Sequence, residues 1–240
     1  MAYINFGSRI LKMGMSGTDV EVLQCLLNGL PSPMSSPITG EPSSFGSKTE
    51  AAVKKFQSYF GLTVDGQVGP QTYLYLGQPT GSYLPGGPVF GSRTLSKGMS
   101  GRDVWILQNR LAASEKQYAT ALGMPADSIF GSKTQTAVKL FQKSMAMTQD
   151  GIVGPDTFMK LFCNTHMGGR ILQSGRADRN QGYDVYYLQS HLKKLGYYTA
   201  ALDGKFGPVT ASAVKALQKA KKITVDGVVG PQTYYNLAFD

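Results

Sequence analysis

The chain is poor in the residues from which catalytic and metal sites are usually built. Its 240 residues include 2 His, 2 Cys and 1 Trp. Glutamate is confined to Glu21, Glu41, Glu50 and Glu115. His166 falls in a glycine-flanked linker and His191 on a helical segment, with no HExxH or other close pair. A zinc centre needs several ligands in fixed geometry, and these two histidines do not supply them. A cysteine nucleophile needs a positioned base and an oxyanion framework. His166 follows Cys163 closely, but in a linker that offers neither. Glycoside hydrolysis needs a carboxylic acid facing a second carboxylate, and none of the glutamates recurs in the pattern described below. No phosphate loop is present. These absences argue against an enzyme, and no metal or cofactor is expected.

Cys25 and Cys163 are far apart and form no CxxC pair, so they read as separate free or buried thiols rather than a disulfide. No apolar run is long enough to span a bilayer. The segment from Met1 to Arg9 lacks a basic stretch followed by an apolar one, so no secretory signal is visible, although a leader could have been trimmed. The shortage of acids leaves a net charge of +9. That surface suits an anionic polymer, and plain solubility accounts for it equally well. The positive residues are scattered without a long basic run, which argues against a nucleic-acid partner.

What the chain does have is one phrase written three times: Asp-Val, Leu-Gln, Phe-Gly, Thr, Ala-Val, Gln, Asp-Gly, Val-Gly-Pro-x-Thr. The first copy carries Asp19-Val20, Leu23-Gln24, Phe45-Gly46, Thr49, Ala52-Val53, Gln57, Asp65-Gly66 and Val68 to Thr72. The second runs from Asp103-Val104 and Leu107-Gln108 through Phe130-Gly131 to Val153–Thr157, and the third from Asp184-Val185 and Leu188-Gln189 through Phe206-Gly207 to Val229–Thr233. A period this long makes each copy a small domain with its own core, near the size at which one core is only marginally stable. The expected units are residues 8–77, 92–162 and 169–239. A Pro/Gly linker joins the first two, and a shorter one, Cys163 to Gly169, joins the last two.

Within a unit, Val20, Leu23 and Leu27 share one helical face, as do Val104, Leu107 and Leu111, and Val185, Leu188 and Leu192. Ser16 and Asp19 resemble a capping arrangement for this first helix, and Ser47 with Glu50 a capping box for the second. Asp65-Gly66 signals a tight turn, Val68 a short extended anchor, and Pro70 the first position of a third helix. The predicted fold is all-α: three tandem, compact three-helix modules. The connections between the first two helices differ, with a Pro-rich loop from Pro31 to Pro37 in the first unit, a loop from Tyr118 to Asp127 in the second, and a tight turn in the third. The recurring glutamines read as braces between loop and helix, with ligand contact as the alternative.

These residues resemble the peptidoglycan-binding domain found as an accessory module on bacterial and phage cell-wall hydrolases. The third copy matches best, through Leu192 to Tyr198, Asp203-Gly204-Lys205-Phe206-Gly207, Thr210, Ala213-Val214 and Asp226 to Thr233. The first two copies depart from it, with Ser43-Ser44 and Ser128-Ile129 before Phe-Gly, and Ala146 and Lys222 replace the glycine that ends the second helix as Gly61. The resemblance implies non-catalytic binding of peptidoglycan, through glycan strands or stem peptides, by a monomer associated with the cell wall. Tandem copies suit a repetitive polymer because linked weak sites raise avidity. The ligand-facing candidates are Trp105 and Tyr186, equivalent positions one residue past the buried stripe of the first helix, together with Tyr197, Tyr198, Asp203 and Asp226 in the third copy. For Trp105 the alternative is packing against a loop or another unit. A second function stays open: a structural or assembly protein of a spore layer or phage particle, reusing the fold for contacts with wall-associated or other proteins, with Tyr73, Tyr75, Tyr234 and Tyr235 available for it.

Overall fold

A computed structural model describes residues 2–83 and 86–238. Met1, Leu84 and Pro85 of the first linker, and residue 239 at the end of the third expected unit lie outside them. The described chain is helical. The first unit contains α1 (Thr18–Asn28), α2 (Ser47–Tyr59) and α3 (Pro70–Tyr75). The second contains α4 (Arg102–Ser114), α5 (Lys116–Leu122), α6 (Ser132–Ser144) and α7 (Pro155–Asn164). The third contains α8 (Tyr183–Lys194), α9 (Pro208–Ala220) and α10 (Pro231–Leu237). Among the described residues extended pairing is limited to isolated antiparallel bridges, two per unit. Leu11 pairs with Val68, Leu95 with Val153 and Leu172 with Val229, so the valine after each Asp-Gly turn is an extended anchor.

Helix α5 corrects the expected loop from Tyr118 to Asp127. Its first half, through Leu122, is part of a short helix ended by Gly123 in the left-handed conformation (φ 66°), with Tyr118, Ala119 and Leu122 buried against α6. The helix starts also differ from expectation. Neither Ser16 nor Ser47 caps a helix: the capping residues are Gly17 and Gly46, without a side-chain cap. Glu50 instead pairs with Lys54 at 3.0 Å. Glu41 takes the capping task from outside α2, accepting the amides of Lys48 and Thr49 at 3.0 Å each. Gly17, Gly101 and Gly182 open the first helix of each unit at φ of 149°, 140° and 137°. A Cβ on Gly17 would lie 2.6 Å from Asp19 Oδ1, so glycine is required there by both conformation and space.

The three units close into a ring. Helix α1 packs on α7, so the first helix of unit one meets the last helix of unit two. Helix α4 packs on α10, repeating that contact between units two and three. The third seam returns to the start: a Cβ on Gly182, at the head of α8, would lie 2.8 Å from the Tyr75 carbonyl, and one on Gly77 would lie 3.3 Å from Asp184. Each contact is head-to-tail, and the rotation closes after three units. Units one and two share a continuous apolar core, in which Phe6 makes edge contacts with Tyr73 and Phe162, and Phe90 with Phe158 and Phe162.

This arrangement overturns the reading of the cysteines. Cys25 on α1 and Cys163 on α7 face one another across the first seam, with Cα atoms 5.8 Å apart, and are joined as a disulfide. Their unmatched places in the repeat hid the pairing, because the seam joins unlike helices. The stretch from Thr165 to Arg170 is buried except for half-buried His166, so the second linker runs through the interior. A Cβ on Gly168 would lie 2.6 Å from the Arg110 backbone nitrogen, so close packing rather than flexibility explains the glycine there.

Candidate ligand-binding surfaces

Each unit is tied together by two glutamine hubs of one design. In the second unit, Gln142 Nε2 donates to Asp150 Oδ1 at 2.7 Å, the Ile152 carbonyl at 2.9 Å and Thr157 Oγ1 at 3.3 Å. Its Oε1 accepts the Gly151 amide at 2.9 Å. Gln57 and Gln218 repeat this network with Asp65, Gly66 and Thr72, and with Asp226, Gly227 and Thr233. The other three glutamines do the same for the turn before the second helix. Gln189 holds Asp203 Oδ1 at 2.8 Å and Thr210 Oγ1 at 3.1 Å. Gln108 holds Asp127 at 2.7 Å and Thr134 at 3.1 Å. Asp127-Ser128 therefore does in the second unit what Asp203-Gly204 does in the third, so the departure read there is smaller than it looked. Ser128 pays for this with a positive φ of 67°. Gln24 keeps the Ser44 carbonyl and the Thr49 hydroxyl but donates to the Glu41 carbonyl in place of an aspartate, because the first unit has Pro42 at the aspartate position.

The recurring aspartates of the first helices have another partner that the sequence reading missed. Arg9 grips buried Asp19 with Nε at 2.7 Å and Nη2 at 3.0 Å. Arg93 grips Asp103 at the same distances. Arg170 grips Asp184 at 2.8 Å through both nitrogens, buried throughout. The signal was available as Phe6-Gly7-Ser8-Arg9 and Phe90-Gly91-Ser92-Arg93, a repeat element that precedes the first helix. Hydrogen bonding holds the Asp65 and Asp150 carboxyls below the ordinary range, chiefly through the amides of Gln67 and Ile152.

The six sequence-predicted ligand residues fall in separate places. Tyr198 is buried, with its hydroxyl donating to the Ala201 carbonyl at 2.8 Å and accepting from Gln189 at 3.1 Å. It is a core strut with no free face. Tyr197 is half-buried against the core of the third unit. Tyr186 and Asp203 come together at the seam between units three and one. There Tyr59, absent from the sequence-based selection, approaches the Leu202 carbonyl with its hydroxyl at 3.5 Å. Burial first, then the neighbouring Tyr186 and Asp203, push the Tyr59 phenol upward. Tyr186 lies nearly parallel to Tyr183, with centroids 6.3 Å apart. Trp105 is half-buried, and the Arg102 guanidinium stacks 4.3 Å from its ring centre. Burial, then the charge of Arg179 on the third unit, lower the Arg102 pKa, so this aromatic site borders the seam between units two and three.

Asp203 and Asp226 are exposed, yet each uses Oδ1 within its turn, accepting the amides of Lys205 at 2.9 Å and Val228 at 2.8 Å. Only the second carboxylate oxygen of each remains for a ligand. Their second-unit counterparts, Asp127 and Asp150, line surface hollows of about 150 and 540 Å³. Tyr73 and Tyr234, considered for outward contacts, are instead fully buried, donating to the Arg9 and Arg170 carbonyls at 2.9 and 2.6 Å.

Comparison with known proteins finds a family described as a putative peptidoglycan binding domain matching residues 16–76, 100–161 and 181–237. The N-acetylmuramoyl-L-alanine amidase CwlM of Mycobacterium tuberculosis is 35% identical over 112 residues, covering 46% of this chain and 28% of that protein. CwlL of Bacillus licheniformis, of the same name, is 34% identical over 165 residues, 63% of this chain and 45% of that one. The chain thus spans less than half the length of either relative. Among solved structures, the SleB N-terminal domain is 37% identical and covers 29% of this chain and 90% of its own, with a TM-score of 0.27. A peptidoglycan-binding protein from Clostridioides difficile is 33% identical over 29% of this chain and 40% of its own, with a TM-score of 0.26.

Proposed function

Because this chain belongs to the peptidoglycan-binding domain family, we propose that it holds bacterial peptidoglycan without cleaving it, as a monomer in which three family units act as one rigid body. The observation that carries this reading is the family match in three consecutive segments. The employment of the acids supports the absence of catalysis. Asp19, Asp103 and Asp184 are neutralised by arginines, Asp65, Asp127, Asp150, Asp203 and Asp226 brace turns, and Glu41 caps a helix. The hydrolase names of the relatives belong to proteins of which this chain spans only part. A disulfide persists in oxidising surroundings, which fits a location at the cell wall.

The half-buried aromatics at the seams are the contact points in this reading. Trp105 beside Arg102, and Tyr186 with Tyr59 and Asp203, offer ring faces on which a sugar can stack, with a charged group alongside. Hubs and ion pairs hold both sites, so little is lost in ordering them on binding.

Co-sedimentation with purified sacculi tests the proposal, paired with an assay for soluble muropeptides. Binding at moderate salt with no muropeptide release is the expected result. Recovery of the protein in the supernatant at low and moderate salt would sink the reading, and release at high protein concentration would replace it with an enzyme. Trp105→Ala and Tyr186→Ala are each expected to weaken sacculus binding by about fivefold, the equivalent of about 1 kcal/mol, with the melting temperature retained. Unchanged binding by folded variants would remove these residues from the site.

A further inference from the structure

The three units meet around Arg110, on the inner face of α4. Its side chain is buried, donating from Nη1 to the Thr165 carbonyl at 2.8 Å and hydroxyl at 3.2 Å, and from Nη2 to Gln78 Oε1 at 2.8 Å. Its Nε is buried and has no partner. Phe90 and Phe162 lie beneath the guanidinium, with ring centres at 5.3 and 5.6 Å. Every one of these neighbours is neutral. The charge of Asp184 reaches Arg110, but its carboxylate is already gripped by Arg170. Among the described residues Arg110 forms no ion pair, so the junction holds a buried positive charge without a carboxylate of its own. Buried ions are paired as a rule, because desolvation penalises an isolated one heavily.

Arg110 also lines a cavity of about 170 Å³ between units two and three. His166, Tyr118 and Tyr187 line it too, while Ala113 and Met145 supply an apolar side. His166 Nδ1 is a second buried nitrogen without a partner. Half-buried Ser114 and exposed Glu115 mark where the cavity reaches the surface. The volume holds on the order of five waters, or one small end-group.

We propose that this cavity binds a carboxylate, and that its occupant is the C-terminal residue of a short peptide with a small apolar side chain. The planar guanidinium matches a carboxylate better than any other common anion in a wall peptide. His166 adds a ring nitrogen, and Ala113 and Met145 receive a methyl-sized side chain. The proposal rests on the reading that the chain holds peptidoglycan, and it selects the stem peptide rather than the glycan as the group bound here. It also accounts for a buried arginine at a position whose first- and third-unit counterparts, Leu26 and His191, carry no fixed charge.

The test is a titration of the full chain with N-acetyl-alanyl-alanine, as L and D enantiomers, with its C-terminal amide and with sodium acetate. Calorimetry reads the affinity, and the His166 and Tyr187 ring resonances read the location. The free acid of at least one enantiomer is expected to bind and shift both rings, with the amide at least tenfold weaker and acetate weaker than the dipeptide. Arg110→Gln is expected to lower affinity at least tenfold. Should that variant fail to fold, Ser114→Phe at the mouth is the second probe, expected to abolish binding with the melting temperature unchanged. Equal binding of acid and amide, no binding of either, or acetate binding as tightly as the dipeptide would overturn the proposal. Binding that appears only in Glu115→Gln would overturn it as well, by making Glu115 the internal counter-charge. Sacculus co-sedimentation of the same samples separates the two readings. Sacculi held without dipeptide binding ends this proposal alone, whereas sacculi not held ends the wider one.

Discussion

Single residues in this protein carry conformations that the repeat imposes against their own preference. Gly61 ends α2 at φ 67°, and the same turn is made by Ala146 at φ 54° and Lys222 at φ 56°. The left-handed turn therefore survives the loss of its glycine, because hub and helix fix the backbone on both sides. A non-glycine residue is strained there by about 1–2 kcal/mol, part of which glycine returns as chain entropy. Ala146→Gly is expected to raise stability by about 0.5–1 kcal/mol and Gly61→Ala to lower it by about 1 kcal/mol, measured by urea denaturation. His166 gives a second residue-scale expectation. Burial, followed by the charge of Arg110, lowers its pKa to about 4. The unfolded chain therefore takes up this proton first. The stability contribution is complete above pH ~6.5 and drains away as the pH falls towards 4. In ligand-free protein, His166→Phe should flatten that part of the stability–pH curve. An unchanged slope between those pH values would refute the assignment.

Among elements, the hub explains how helices this short hold together. Helix α3 has 6 residues and α10 has 7, too few to persist alone. Each is held at its first turn by a threonine hydroxyl that a glutamine from the preceding helix engages. One amide thus joins a helix, a turn and the start of the next helix. Gln142→Leu, nearly isosteric, strands the Gly151 amide and removes the donor to Asp150. The expected loss is about 1–3 kcal/mol. Hydrogen exchange should show the opening concentrated at Asp150–Thr157, and a loss spread evenly over the unit would contradict the hub as the local tie.

The whole molecule is a closed ring of three unlike seams built from like units. The first seam has a shared apolar core and a disulfide linking residues 138 apart. The third unit has a separate core that takes in Ala113 of α4, lends Tyr183 to the shared core, and meets the others through α10 on α4 and the glycine-mediated approaches to α3. Replacing both cysteines by serine is expected to cost about 2–5 kcal/mol, because the cross-link closes a very long loop. Non-reducing peptide mapping should find the linked Cys25 and Cys163 peptides, and free thiols in the folded protein would refute the bond.

The sequence by itself determined the repeat, the helical class, the buried stripe of each helix, the Val anchors and the proline starts of α3, α7 and α10. All of these are local patterns, set by spacing and backbone chemistry within one unit. It also pointed to the glutamines as braces, since an amide that both donates and accepts suits a turn held against a helix. Only the tertiary structure decided what lies between units. Cys25 meets Cys163 because a first helix packs on a last helix, a relation that no repeat register displays. Arg110 is buried because three units converge on it, and nothing in its neighbours along the chain marks it. Tyr59 joins Tyr186 and Asp203 only when the ring closes. Spacing along the chain encodes contacts within a repeat, whereas contacts between repeats depend on rigid-body packing of surfaces far apart in sequence, and the seams are where the candidate sites lie.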